Sequence, residues 1–258
     1  MVDILFNVNE RSGRGQTAEI DRSGLAALTT HLRIPYTFRM GTETQSVDIT
    51  KYSFNEFVSF LFDRDWPPTT AKFDPWYWHT EVSYTPDLIC GYYVRLFRDP
   101  QFLRERFSKV QLDEALWAIQ VENLDCSVAR IIWDSDLPFA VREECVRTMT
   151  DLFRNFFTAE HLDSGHMWWD SLCYDWHCGN RKRDRGGEDE RMQDVIFQTL
   201  TAILALESDF CQGAALHGLG HLHHPETEDL IARYIADHST LTKEQLEYAL
   251  AAAKFEVQ

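Results

Sequence analysis

Between Met192 and Leu204 apolar and small residues recur at three- and four-residue steps without a gap: Met192, Val195, Ile196, Thr199, Leu200, Ile203 and Leu204. Only an α-helix brings such positions onto one face. The pattern resumes after Glu207-Ser-Asp209. Cys211, Ala215, Gly218, Leu219 and Leu222 share a face, and Leu230, Ile231, Tyr234 and Ile235 form a second stripe. Pro225 suits a first helical turn, where its missing N–H costs nothing. Glu226, Glu228 and Asp229 crowd that turn, where the helix dipole favours negative charge. Thr242, with Gln245 three residues on and Leu241 positioned against Leu246, makes a capping box with a hydrophobic staple. Its helix is expected to turn Leu246, Ala249, Leu250 and Ala253 inward. Consecutive amphipathic helices with joints this short must bury their stripes on one another, so the chain is expected to be mainly α.

The segment Ala214-Ala-Leu-His-Gly-Leu-Gly-His-Leu222, with Pro225, Leu230-Ile231 and Tyr234-Ile235, resembles one repeat of the HEAT-like family, of the short PBS-lyase type seen in bacterial proteins. The resemblance covers one to two repeats near residues 190–255. It implies an α-solenoid, in which stacked helix pairs share a continuous core.

Upstream the helical pattern continues. Leu88 to Phe97, Gln101 to Phe107, Leu112 to Val121 and the short Ser127 to Trp133 read as helices. Pro138 opens a longer one reaching Phe157, with Val141, Cys145, Met149, Leu152, Phe153 and Phe156 as its stripe. A further helix is expected near Ser53, presenting Phe54, Phe57, Val58 and Leu61. Residues 63–87 read as an irregular aromatic connection, because Pro67-Pro68 cannot lie inside a helix. Residues 1–50 read as a small mixed cap, with strands at Val2–Val8, Ile34–Met40 and Gln45–Ile49 and a loop over Glu10–Gly15. Residues 51–258 then form the helical repeat domain.

The net charge of −16 excludes a broad nucleic-acid or anionic-membrane surface, since both need cationic patches. Residues 187–258 hold 13 acidic and 4 basic residues, a net −9 of that total. Arg181-Lys-Arg-Asp-Arg185 is the one basic run, and Glu188-Asp-Glu190 beside it is expected to neutralise it with local ion pairs. Cys90, Cys126, Cys145, Cys173, Cys178 and Cys211 form no Cys-x-x-Cys and read as reduced packing residues. Met1-Val-Asp-Ile-Leu-Phe-Asn has no cationic lead, and no run reaches the ~20 apolar residues of a membrane span, so a cytoplasmic location is expected.

Two clusters carry candidate chemistry. His217, His221 and His224 stand at i, i+4 and i+7, and two histidines one turn apart are able to hold one metal ion such as zinc. No Glu follows the first of them, as a zinc-protease helix requires. Solvation or capping on a polar face is therefore the expected role, ahead of partner contact and of metal catalysis, and no cofactor is expected. Asp170, Cys173, Asp175, His177 and Cys178 form the second cluster, read as packing among Trp168, Trp169, Tyr174 and Trp176. No phosphate loop, serine elbow or dinucleotide fingerprint is present.

The function expected from sequence is non-enzymatic binding of another, basic protein, as in an immunity protein that neutralises a toxin. Trp76, Tyr77, Trp78, His217, His221, Glu226, Glu228 and Asp229 are the expected contacts. The alternative is a metal-binding enzyme built on His217, His221 and His224, with help from residues 161–178.

Overall fold

A computed structural model describes residues 44–64 and 75–257, without the side chain of Arg185. All of these belong to one compact unit spanning residues 43–258. The expected strands at 2–8 and 34–40 and the loop at 10–15 lie outside the described residues.

The fold is mainly α. Twelve α-helices occur among the described residues: α1 (Phe54–Phe62), α2 (Pro86–Arg98), α3 (Phe102–Arg106), α4 (Lys109–Gln120), α5 (Val128–Ile131), α6 (Phe139–Leu152), α7 (Asp163–His166), α8 (Trp168–His177), α9 (Glu188–Leu204), α10 (Asp209–Leu222), α11 (Thr227–Asp237) and α12 (Lys243–Ala253). Their starts follow the local chemistry. Ser53 with Glu56, Ser108 with Gln111 and Thr242 with Gln245 each close a capping box, satisfying backbone donors that a helix end leaves orphaned.

One element was illegible beforehand. Strand β2 (Thr80–Ser83) lies inside the segment expected to be irregular and pairs in parallel with β1 (Gln45–Asp48), Val47 opposite Val82. Four residues are too few for alternation to stand out beside Trp76-Tyr77-Trp78. A long-range contact fixes the strand, since the Val82 N–H donates to Asp125 Oδ2 at 2.8 Å.

Helix α6 is regular only to Leu152. From Phe153 to Phe157 the backbone widens into a π turn, and Phe153, Phe156 and Phe157 are all buried there. Phe153 stacks on Trp169 at 6.2 Å between ring centroids, and Phe157 meets Trp168 edge-on at 6.0 Å.

Helix α10 is the centre of the C-terminal half. It packs against α7, α8, α9, α11 and α12. Every residue from Ala214 to Leu222 is buried, so this part of the helix has no solvent face, as expected of one enclosed on all sides. The close approach of α8 depends on Gly218. A β-carbon there would lie 2.6 Å from Trp169 Cβ and 2.8 Å from a Leu200 methyl.

Helix α12 turns only the alanines of its expected stripe inward. Leu246 and Leu250 are exposed, while Ala249 and Ala252 are buried and Tyr248 packs on the core. Two i, i+4 rows compete on this alanine-rich helix. The row with small residues packs closely on α10 and carries the tyrosine that reaches it.

Candidate metal centre

The two clusters that look separate in sequence meet where α8 crosses α10. Asp170 sits one residue after Trp169, and His217 one residue before Gly218, so the contact that glycine permits brings carboxylate and imidazoles together. His217 and His221, one helical turn apart, aim their Nε2 atoms at the same point. These atoms are 3.2 Å apart, and Asp170 Oδ1 lies 3.3 Å from that of His221 and 3.9 Å from that of His217.

The centre of such a triangle lies about 2.0 Å from each corner, which matches the ~2.0–2.2 Å bond lengths of zinc to histidine nitrogen and carboxylate oxygen. Among the described residues this is the one group of three such side chains whose ligand atoms converge, all within 4.8 Å of one another. His217 and His221 are 1 % and 5 % exposed, so the expected solvated role does not hold for either. The Asp170 side chain is 38 % exposed, and the site opens on its side.

The protonation states suit a cation. Burial, then the neighbouring His217, push His221 down to about 4, so its imidazole is neutral at pH 7. His217, with His221 and His177 adding to it, holds the Asp170 carboxyl below its usual range, so it is charged. The neutral His221 imidazole and the ionised Asp170 carboxylate are able to accept a transition ion without first losing protons. His221 Nδ1 is buried with no hydrogen-bond partner. His217 Nδ1 is 2.8 Å from the Tyr248 hydroxyl, whose pKa burial has pushed up to about 12, so the phenol keeps its proton. A ligating histidine is commonly fixed in this way by a partner on its other nitrogen.

His224 does not join the site. The i+7 spacing would align it with His217 only if the helix continued, but α10 ends at Leu222 and His223 turns left-handed at φ 54°. His224 instead stacks on Phe197 at 3.9 Å and sets its Nε2 3.0 Å from Asp194 Oδ1. Asp194 also receives Arg183, while Arg181 pairs with Asp175 and Asp189, so the basic run is held by its acidic neighbours. Cys173 is buried and its thiol is pushed well up by burial, while Cys178 is exposed.

The aromatic run divides. Tyr77 is 4 % exposed, Trp76 packs edge-on against Phe60 at 5.5 Å, and Trp78 alone faces solvent. Glu226, Glu228 and Asp229 are exposed. Sequence reasoning passed over Tyr248 and gave Asp170 to the cysteines beside it. No spacing signal links either to His217, because each comes from a different helix.

The chain matches no protein-family model, no curated protein and no solved structure.

Proposed function

We propose that this protein is a metal-dependent enzyme that holds one divalent transition-metal ion on Asp170, His217 and His221. The observation that supports this most is the convergence of three ligand atoms about a point at bonding distance from all of them. Structural zinc sites close their sphere with four protein ligands, whereas catalytic sites keep a position open. Three ligands with solvent on the Asp170 side belong to the second kind. When bound, the ion would act as a Lewis acid and lower the pKa of a coordinated water towards neutrality. His217 and His221 would orient it from the buried side, with Tyr248 fixing His217, and Asp170 would offset its charge. The test is elemental analysis of the full chain purified without an affinity tag. About one transition ion per chain is expected, lost in Asp170→Ala and in His217→Ala. A chain that stays metal-free after dialysis against Zn²⁺, Fe²⁺ and Mn²⁺ in turn refutes the proposal.

A second reading is supported by charge. The net −9 of residues 187–258, with Glu226, Glu228 and Asp229 exposed on one helix turn, suits a basic protein partner of the immunity type. The HEAT-like α-solenoid belongs with this reading. Its support is the sequential packing of α9 on α10 and of α11 on α12.

A further inference from the structure

The histidines continue past the triad. His177, at the end of α8, lies edge-on to His221 with ring centroids 4.6 Å apart, and His223 lies edge-on to His177 at 5.3 Å. His177 Nδ1 and His223 Nε2 face each other at 3.4 Å. That is longer than the usual ~2.7–3.2 Å of a hydrogen bond from N–H. It is also the separation of two nitrogens each about 2.0–2.1 Å from one tetrahedral cation. Both side chains are half-buried, so an ion held there keeps its remaining positions for water.

The backbone gives a second, independent observation. His223 sits at φ 54°, at the end of a helix, where glycine is the ordinary residue because it has no Cβ to clash. A residue held in the left-handed region is a local cost that the surroundings must sustain, and such positions concentrate at binding sites. Here the Phe255 ring stacks on His223, centroids 4.4 Å apart and planes 18° from parallel. The left-handed turn and the stacked ring together keep the imidazole directed at His177.

We propose that His177 and His223 form a second site for a divalent transition ion, weaker than the triad and nearer solvent. With two imidazoles and no carboxylate it favours Cu²⁺ over Zn²⁺ and binds Mg²⁺ or Ca²⁺ hardly at all. It stands beside the triad reading and does not require it.

Calorimetric titration of the demetallated full chain with Zn²⁺ is the test. Two binding steps are expected, the weaker with a dissociation constant at least tenfold higher. His177→Ala and His223→Gly should each abolish the weaker step, and His223→Gly should leave the tighter within about twofold. His223→Gly suits the left-handed backbone, so its apo form should unfold no earlier than wild type, which separates lost binding from lost folding. A single step in wild type that both variants retain overturns the proposal, as do two steps that both variants retain. If the tight step is missing but a weak one is present and both variants remove it, the triad reading fails and this one stands.

Discussion

His217 has a different partner on each ring nitrogen. Its Nε2 faces His221 and Asp170, and its Nδ1 meets the Tyr248 hydroxyl at 2.8 Å. The second contact decides the first. If Nδ1 carries the proton and donates it to the phenol oxygen, the Nε2 lone pair is free for a cation. Tyr248→Phe removes that acceptor and leaves the rest of the ring in place. Metal affinity, measured by competition with a chromophoric chelator, should fall by about 10- to 100-fold, in the range found when such outer partners are lost. The apoprotein should lose about 1 kcal/mol by chemical denaturation, the usual net worth of one hydrogen bond. An unchanged affinity would show that Tyr248 does not set the tautomer. The sequence offered no route to this residue. Tyr248 belonged to the row of α12 that its leucines obscured, and the i+7 rule selected His224, which the end of α10 turns away towards Asp194.

At the level of elements the site is a consequence of one helix crossing. Asp170 on α8 reaches the histidines of α10 only because the helices approach over Gly218, where a β-carbon would overlap Trp169. Gly218→Ala raises helix propensity by roughly 1 kcal/mol in isolation, so a local view expects stabilisation. The contact decides otherwise, since overpacking a filled core typically costs about 1–3 kcal/mol. The variant should therefore be less stable than wild type by thermal or urea unfolding, and its metal affinity should fall further than its stability explains, because the carboxylate is displaced. A stable variant with full affinity would mean that the crossing relaxes freely and does not position the site. Here the sequence was legible in part. Helices α2 to α6 and α9 to α11 follow their apolar periodicity, and the Thr242–Gln245 capping box is a local pattern that folding preserves, whereas α7 and α8 were not read as helices. Periodicity reports which residues seek burial and is silent on which helix covers them. The convergence of Asp170 with His217, the exposure of Leu246 and Leu250, and the pairing of β1 with β2 are all settled between elements distant in sequence.

Across the whole molecule buried titratable groups pull stability in opposite directions. Burial lowers His221 to about 4 and also lowers His166, His223 and His224 from the ordinary histidine value. Below about pH 6.5 the unfolded chain takes up protons that these folded imidazoles refuse, so stability present above that pH is lost progressively towards pH 4. Glu114 has the opposite sign. Burial raises its carboxyl to about 7, with Asp113 adding to it, so between roughly pH 7 and 4.5 the folded chain binds a proton that the unfolded chain does not, and acid favours the fold. Glu114 thus opposes His221, and His166, His223 and His224 add to the His221 side. The melting temperature of the metal-free protein should therefore fall modestly from pH 7 to 5. Glu114→Gln removes the opposing group, so its melting temperature should drop more steeply over the same interval, while His221→Gln should flatten the wild-type curve. If Glu114→Gln and wild type lose stability in parallel, the Glu114 carboxyl is ionised in the fold, and burial there is weaker than its surroundings between Tyr77 and Asp113 imply.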